Sequence, residues 1–402
     1  MARQMKKSIS DGVKKVRKTF DYYDYNLVAV VVLLTCFGLV MLYSTSAYTA
    51  ELKFNDDMHY FGRQAIISFV CILGMLAISQ MNYHILKPLA PVLYVAAAVT
   101  MILVQTPLGV TVNGAKRWLN LGIQFQPSEI AKVAVIVCIP CMIVKMGREI
   151  GRLSGFVKLF FAGALLAFMA YRFTDNLSTG LIIGGITVAL IYVAHPKSTP
   201  FYVAAVILII VAIAGVYYLN QLVDSSDSFR IQRILVWLKP EEYSGTNGYQ
   251  ILQALYAIGS GGFFGKGLGN SAQKLGAVPE AQNDMIFSII CEELGIFGAA
   301  IVLILFAYLL YRLFFIAQNA PDLFGSLMVS GIFIHISLQV ILNICVVLNV
   351  IPTTGITLPF VSYGGTSIMF LMAEMAIALS VSRQIRFKEV ERRTRQASES
   401  FY

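Results

Sequence analysis

Charged residues are scarce in this chain of 402 residues, at 13% of the total, whereas an ordinary soluble domain carries about 25%. Polar residues of other kinds do not compensate, since 57% of the residues are hydrophobic and the mean hydropathy is +0.71. This deficit excludes a soluble globular domain, whose surface needs many more charged side chains. The sequence therefore predicts a protein that lies in a lipid bilayer.

Histidine and cysteine are too few and too dispersed to indicate a metal site or a disulfide framework. The four histidines show no spacing typical of metal ligands. All six cysteines fall in apolar segments. Cys138 and Cys141 have the spacing of a redox motif, but they lie inside a predicted membrane span, which favours a structural role. The cysteines are Cys36, Cys71, Cys138, Cys141, Cys291 and Cys345.

Positive charge is concentrated at the two ends of the chain. The formal net charge is +9, and Lys and Arg cluster in residues 1–25 and 383–402. Basic segments beside apolar spans are typical of contact with anionic lipid headgroups on the cytoplasmic face of a membrane. We therefore expect membrane lipids, and no nucleic acid, as partners of these tails.

Apolar runs of about 20 residues, the length needed to cross a bilayer core, recur along the chain. They predict an all-α polytopic membrane protein with ten transmembrane helices and no separate soluble domain. The first run is too long for the core of a signal peptide and no clear cleavage site follows it, so we expect an uncleaved span. The predicted spans are 26–46, 62–80, 88–107, 126–144, 157–173, 177–194, 200–220, 284–312, 323–348 and 358–382.

The distribution of Lys and Arg predicts the orientation of these spans. With the amino terminus in the cytoplasm, most of the basic residues fall on the inner side, as the positive-inside rule requires. Both termini are then cytoplasmic, and a large outer loop joins the seventh and eighth spans at about 221–283. The expected division is a basic tail over 1–25, a membrane domain over 26–382 and a second basic tail over 383–402.

Ionisable residues in or beside the spans are candidates for function, because each costs about 2.5–3.5 kcal/mol at mid-bilayer. Arg117, Glu129 and Lys132 lie near the outer end of the fourth span. Glu129 and Lys132 share one helix face, so an internal ion pair is one interpretation. The other is that Arg117 and Lys132 bind phosphate oxygens, which Arg contacts bidentately and Lys as a compact point charge.

Two more outer segments carry polar groups that have both a structural and a functional interpretation. Asp175 lies in the very short turn between the fifth and sixth spans, where it is either a helix cap or a site residue. Arg230 and Arg233 are three residues apart, which places them on one face of a short amphipathic helix. They contact either lipid headgroups alone or a substrate.

The stretch from 247 to 298 is the one around which the chain is organised. Its glycine-rich run fails the pattern of a nucleotide-binding loop, so we expect close backbone approach to a ligand or a neighbouring helix. Asp284 stands where the polar run ends and the apolar eighth span begins, with Glu280 one turn earlier. A carboxylate at a membrane surface predicts chemistry on a lipid-borne substrate; the alternative is the N-cap of that span.

Proline and glycine interrupt the helical pattern again near the outer face. The segments 352–355 and 359–365 break the run before the tenth span, and Ser362 lies in the second of them. Irregular backbone at membrane depth is tolerated only where it lines a cavity or is buried in protein. Glu374, deeper in the tenth span, has no partner that the sequence indicates.

Several motifs at these positions resemble the SEDS family, the shape, elongation, division and sporulation proteins of bacteria. The resemblance runs from about Tyr25 to Arg383. Its pieces are NGAKRWLNLG, QPSEIAK, AIGSGGFFGKGLGNSAQK, VPEAQND, EELG, PTTGITLPFVSYGG and SVSR. The run GKGLGNSAQK followed by PEA resembles the division and sporulation branch, FtsW and SpoVE, more than the rod-elongation branch, RodA.

The resemblance implies a ten-span peptidoglycan glycosyltransferase of the bacterial plasma membrane that acts on lipid II, a disaccharide-pentapeptide on undecaprenyl pyrophosphate. Asp284 takes the place of the essential outer-loop aspartate. Gln282 and Asn283 stand where the family commonly has His-Thr, which puts any proton-sharing histidine in doubt. The implied partners are a class B penicillin-binding protein and other division proteins. No cofactor is certain, and a divalent cation is compatible with the reaction.

Together these observations predict polymerisation of lipid II at the outer face, with cell division as the expected duty. Asp284 is the expected base, and the expected substrate-binding residues surround it. Two alternatives stay open at this point: a lipid II transporter, and a scaffold that recruits a transpeptidase. The predicted substrate-binding residues are Arg117, Lys132, Glu129, Asp175, Arg233, Lys274, Glu280 and Ser362.

Overall fold

The computed structural model describes residues 19–112, 115–120, 122, 124–221, 229–243, 245, 248–275, 278–279 and 281–388. Over these residues helices dominate, as the all-α prediction requires, and the strands are short. The helices are α1 (Tyr25–Phe54), α2 (His59–Ile78), α3 (Leu86–Leu103), α4 (Pro127–Met146), α5 (Leu153–Phe173), α6 (Leu177–Ala194), α7 (Thr199–Gln221), α8 (Phe229–Leu238), α9 (Tyr249–Gly261), α10 (Ile286–Asn319), α11 (Leu323–Val347) and α12 (Gly365–Arg383).

Nine helices within the described residues are long and apolar enough to cross a bilayer, namely α1 to α6 and α10 to α12. They overlap nine of the ten predicted spans, and the multi-pass membrane fold is thereby confirmed. The predicted seventh span, 200–220, falls on α7. Over the residues of α7 whose side chains the structure describes continuously, Thr199–Ile210, the helix is apolar but shorter than a span. The count of ten spans stays a prediction.

The start of the tenth predicted span is wrong. The sequence places it at 358, but α12 begins at Gly365. Phe360 has a φ of 63°, in the left-handed region, and the backbone from 351 to 364 forms no helix. Hydropathy extends the span too far because Leu358, Phe360 and Val361 are apolar, and all three are buried in protein without being helical.

The helix ends follow the capping chemistry of the sequence. Asp24 accepts a hydrogen bond from the main-chain nitrogen of Leu27 at 2.9 Å and so caps α1. Asp322 caps α11 in the same way, through the main-chain nitrogen of Gly325 at 2.9 Å. Pro127 occupies the first turn of α4, where its missing N–H costs nothing.

The bundle has a protein-surrounded centre and a lipid-facing periphery. In α12, 72% of the 18 most apolar residues are buried, and in the span that begins with α4 the share is 61%. In α2 and in the span that ends with α3, the figure is 17%. The central helices therefore carry the polar residues that must avoid lipid, and the peripheral ones carry apolar side chains toward it.

Buried polar pairs join distant parts of the chain. In the predicted orientation, the end of the bundle near the chain termini is the inner end and the opposite end is the outer end. At the inner end, Arg312 of α10 donates to Asp24 with a nitrogen–oxygen distance of 2.6 Å, and Asp24 is completely buried. Deeper in the bundle, Nδ1 of His335 lies 2.8 Å from Oε2 of Glu374, and both side chains are 1% exposed. Glu374, for which the sequence indicates no partner, thus pairs with a histidine of α11.

Two small antiparallel sheets lie outside the bundle. β1 (Thr19–Asp21) pairs with β5 (Arg386–Lys388), which joins the two ends of the described chain at the inner face. At the outer face, β2 (Gly109–Val112), β3 (Ala115–Asn120) and β4 (Gln124–Phe125) form a sheet before α4. The outer sheet is absent from the sequence prediction, and its central strand carries Arg117.

Helix α10 is broken near its outer end. Gly295 has φ 67° and ψ −167°, which no helix contains. In an unbroken helix the main-chain nitrogens of Ile296 and Phe297 would bond to the carbonyl oxygens of Glu292 and Glu293. Here they bond instead to the carbonyl oxygens of the glycine-rich run, at positions 262 and 263, each at 3.1 Å. The predicted continuous span 284–312 is therefore two helical pieces.

Candidate functional site

Asp284 lies in the turn before α10 and is half-buried at the outer end of the bundle. The residue at the N-cap of α10 is Met285, and no side chain caps this helix. The alternative interpretation of Asp284 as a helix cap is therefore wrong. The carboxylate of Asp284 therefore does not serve as the cap of α10.

The main chain of this turn is held by the side chain of a buried asparagine on α11. The amide nitrogen of Asn343 donates to the carbonyl oxygen of Asp284 at 2.8 Å and to that of Ile356 at 2.7 Å. The main-chain nitrogen of Tyr363 also donates to the carbonyl oxygen of Gln282 at 2.9 Å. The turn and the non-helical segment 351–364 are thus fixed together.

Two predicted arginines share the electrostatic environment of Asp284. Burial lowers the pKa of the Arg117 guanidinium, and the negative charges of Asp175 and Asp284 oppose that shift. Burial and repulsion by Arg117 lower the pKa of Arg233, and the charge of Asp284 again opposes the shift. The structure thus brings together four predicted site residues from four separate segments of the chain, namely Arg117, Asp175, Arg233 and Asp284.

Arg233 is also attached to the segment that faces Asp284. Its guanidinium donates to the carbonyl oxygen of Thr353 at 3.2 Å. The next turn of α8 is held as well, because the indole nitrogen of Trp237 donates to the carbonyl oxygen of Asn349 at 3.1 Å. The short helix α8 therefore lies against 349–353 and does not contact lipid headgroups alone. The structure does not describe the side chain of Arg230.

Asp175 is exposed in the turn between α5 and α6, with a φ of 45°. It is not the cap of α6, because Asn176 has that place and accepts from the main-chain nitrogen of Thr179 at 3.0 Å. The capping interpretation of Asp175 is therefore wrong. The next turn of α6 is joined to the site, since Ser178 donates to the carbonyl oxygen of Thr354 at 2.6 Å.

Glu129 and Lys132 form the internal ion pair that their spacing predicts, at 2.9 Å, with side-chain exposures of 9% and 3%. The Lys132 ammonium also lies 3.5 Å from the amide oxygen of Gln339. Gln339 in turn donates to the carbonyl oxygen of Thr357 at 3.0 Å. The pair is therefore linked through Gln339 to the segment 351–364. A phosphate contact by Lys132 stays a prediction.

The last three predicted residues lie in different settings. Ser362 accepts a hydrogen bond from the main-chain nitrogen of Leu358 at 2.8 Å, which shapes the segment 351–364. Lys274 forms an ion pair with Glu293 at 2.9 Å, and no contact joins it to Asp284 within the described residues. Glu280 lies outside the described residues.

Asn343 and Gln339 were missed by the sequence prediction. They occupy the same face of α11 as His335, because the three positions are four residues apart. Polar residues at that spacing inside an apolar span were the available signal. Such a stripe must face protein rather than lipid, and it leads from the His335–Glu374 pair to the turn of Asp284.

A complete metal site is not evident in the part of the chain that the structure describes. No three or more His, Cys, Asp and Glu side chains are grouped there so as to hold a cation. The two carboxylates of the cluster, Asp175 and Asp284, each interact with arginines. The donor set around Asp284 is therefore suited to binding an anion beside a carboxylate.

Comparison with known sequences identifies relatives along nearly the whole chain. The profile of the FtsW/RodA/SpoVE family, described as a cell cycle protein, matches residues 24–387. Stage V sporulation protein E of Bacillus subtilis (strain 168) is 37% identical over 367 residues, which cover 90% of this chain and 98% of that protein. A probable peptidoglycan glycosyltransferase FtsW of Geobacter sp. (strain M18) is 35% identical over 369 residues, with the same coverages.

Solved structures show the same fold at 26% identity. One is a chain from a study of the structural coordination of polymerization and crosslinking by a peptidoglycan synthase complex; its TM-score is 0.74, with 90% of this chain and 98% of that chain covered. Another is the rod shape determining protein RodA of Thermus thermophilus, with a TM-score of 0.64 and coverages of 90% and 97%. This chain is a multi-pass membrane protein that belongs to the FtsW/RodA/SpoVE family.

Proposed function

We propose that this protein is a peptidoglycan glycosyltransferase that polymerises lipid II at the outer face of the bacterial plasma membrane. One observation carries the proposal: a half-buried carboxylate, Asp284, shares its electrostatic environment with two half-buried arginines, Arg117 and Arg233. A base beside cations is what transfer of a sugar from a pyrophosphate requires. The relatives named as glycosyltransferases support the same reaction.

In the proposed step, a sugar hydroxyl of the acceptor attacks the anomeric carbon of the growing chain. The carboxylate of Asp284 takes the hydroxyl proton as the new carbon–oxygen bond forms. The bond from the anomeric carbon to the pyrophosphate oxygen breaks, and its electron pair leaves with the lipid pyrophosphate. Arg117 and Arg233 stabilise the negative charge that develops on that leaving group.

The other predicted residues have supporting places in the proposal. Asp175 holds the Arg117 side chain through charge, and Ser362 holds the segment opposite Asp284. Glu129 and Lys132 brace that segment through Gln339, and Lys132 is the next cation available to phosphate. Substrate contacts by Lys274, which is ion-paired with Glu293, and by Glu280 stay predictions.

The membrane setting completes the proposal. Both termini are cytoplasmic, so Asp284 faces the outer leaflet, where a lipid-linked disaccharide is accessible. A class B penicillin-binding protein is the expected partner, because a structural relative comes from a peptidoglycan synthase complex. Cell division is the expected duty, and other division proteins are further partners.

The test is polymerisation by the purified protein in detergent, with lipid II as the substrate and no second compartment. The native protein should make glycan polymer, and Asp284→Asn should make none while keeping its expression and melting temperature. Asp57→Asn is the matched control, because Asp57 is another outer carboxylate and its hydrogen bond is to Tyr43. Normal polymer from Asp284→Asn would refute the assignment.

A vesicle assay separates the enzyme from the transporter alternative. Movement of lipid II across vesicles by a protein that makes no polymer in detergent would favour a transporter. The detergent assay is run with and without the class B penicillin-binding protein, so that dependence on the partner is not mistaken for inactivity.

A further inference from the structure

We propose that Glu292 and Lys266 are positioning residues for Asp284, and this inference rests on the proposed function. The outer segment of α10, Ile286–Leu294, begins directly after the turn of Asp284 and ends at the break at Gly295. The bracing loop, defined as residues 262–275, lies against that break. The ion pair between Glu292 and Lys266 holds the two together, at 2.6 Å.

The break removes the backbone bonds that would fix the outer segment to the rest of α10. The carbonyl oxygens of Glu292 and Glu293 accept from the main-chain nitrogens of Lys266 and Gly267, each at 2.9 Å, and not from the next helical turn. On the other side of the break, Ile296 donates to the bracing loop as described above. The direction of the outer segment is thus set by the bracing loop.

Several hydrogen-bond donors, most of them in the bracing loop, converge on the carboxylate of Glu292. It is completely buried, so its charge must be compensated within the protein. Besides the ammonium of Lys266, its donors are two serine hydroxyls and two main-chain nitrogens. These are Ser260 at 3.4 Å, Ser271, the nitrogen of Ala272 at 3.3 Å and the nitrogen of Gln273 at 3.4 Å.

A second ion pair fixes the bracing loop to the bundle. Lys274 lies 2.9 Å from Glu293, and its ammonium donates to the hydroxyl of Ser44 on α1 at 3.0 Å. Ser44 itself donates to Glu293 at 2.7 Å. The bracing loop is therefore anchored to α1 on one side and carries the outer segment, with Asp284, on the other.

The two members of the Glu292–Lys266 pair differ in exposure, so removing one or the other should have effects of different size. Lys266 is 36% exposed, so it can turn to water when Glu292 loses its charge. Glu292 is 0% exposed, so removing the lysine leaves a buried charge without its counterion. Lys266→Gln should therefore displace the outer segment more than Glu292→Gln does. The double variant should be milder than Lys266→Gln alone.

The experiment measures lipid II polymerisation in detergent and amide hydrogen exchange of the same proteins. Lys266→Gln should lower kcat by about 100-fold, the effect of a displacement near 1 Å at a reacting group, with KM changed by less than about twofold. Exchange should rise across 286–294 and not across α12. The double variant should recover at least about tenfold in kcat over Lys266→Gln.

The matched control is Lys239→Gln, which removes an exposed ion pair with Glu242 in the same outer region, at 3.0 Å. It should leave kcat and exchange unchanged. Unchanged exchange over 286–294 in Lys266→Gln, or a double variant as damaged as Lys266→Gln, would overturn the proposal. Hydrogen exchange needs no activity, so this result is independent of whether Asp284→Asn abolishes polymer.

Discussion

The side-chain amide nitrogen of Asn343 lies 2.8 Å from the main-chain carbonyl oxygen of Asp284. The same amide reaches the carbonyl oxygen of Ile356, and Asn343 is completely buried. One side chain on α11 thus joins the turn that carries the proposed base to the segment opposite it. The position of the base depends on a residue that does not touch the substrate in the proposed step.

Asn343→Leu should lower both stability and polymerisation. The substitution keeps the approximate volume but removes the donor of two carbonyl oxygens. The contact to Ile356 is buried, and leaving that oxygen without a donor costs about 1–3 kcal/mol. We expect a lower melting temperature and a fall in kcat of at least about tenfold. Ser330→Ala is the control on the same helix, because Ser330 donates only to its own helix, at Ser326. Equal kcat values for the two variants would contradict this role.

Arg233→Lys should lower the polymerisation activity although the positive charge is kept. A lysine cannot reproduce the planar guanidinium that contacts phosphate oxygens in pairs, and the bond to Thr353 would be lost. We expect kcat/KM for lipid II to fall by about tenfold or more. The exposed Arg172, at the turn between α5 and α6, provides the control Arg172→Lys, which should retain native kcat/KM. A native value for Arg233→Lys would remove this arginine from the leaving-group site.

Gly265→Ala should disrupt the outer end of the protein. Gly265 has a φ of 77°, and an added Cβ would overlap the carbonyl oxygen of Glu293. We expect a large loss of melting temperature in detergent. Gly259→Ala is the matched control in α9, where a Cβ would meet no atom within 4 Å. It should be neutral or stabilising by up to about 1 kcal/mol. A Gly265→Ala protein as stable as the control would contradict the close approach.

Asp322 should stabilise the protein above its carboxyl pKa and not below it. Burial alone would raise the pKa of Asp322, but hydrogen bonds from Tyr83, Gly325, Lys87 and His84 outweigh it and hold the pKa below the usual value. A lowered folded-state pKa contributes stability above the unfolded value of about 3.9, and that contribution is lost as pH falls through the folded value.

The measurement for Asp322 is the melting temperature of the native protein and of Asp322→Asn as a function of pH. The native protein should be the more stable at about pH 6, and the difference should shrink as the pH falls below about 4. A difference that stays constant over this range would show that the charge of Asp322 contributes nothing.

The spans were predictable because hydropathy and length are local properties. The predicted span 177–194 coincides with α6. The start of the tenth span and the break in the eighth were wrong, because tertiary contacts set both of them. The break at Gly295 escaped prediction because the surrounding residues are apolar on both sides. The partners of the broken backbone lie in the bracing loop, which no local pattern joins to α10.

The sequence predicted which residues form the site better than it predicted the contacts between them. Shared motifs pointed to Asp284 and Arg117. The setting and spacing of ionisable residues beside the spans pointed to Arg233 and Asp175, and the structure brings all four together. The pairing of Lys274 with Glu293 is not foreseeable from residues that lie in different elements. The spacing of Glu129 and Lys132 did predict their ion pair, because both residues lie on one helix.

The His335–Glu374 pair has a consequence for how the chain enters the membrane. Each of α11 and α12 carries one member, and an unpaired ionisable group at mid-bilayer costs about 2.5–3.5 kcal/mol. Once paired at 2.8 Å, the two polar groups contact each other instead of facing hydrocarbon. The last two spans should therefore leave the insertion machinery as a hairpin, rather than partition into lipid one after the other.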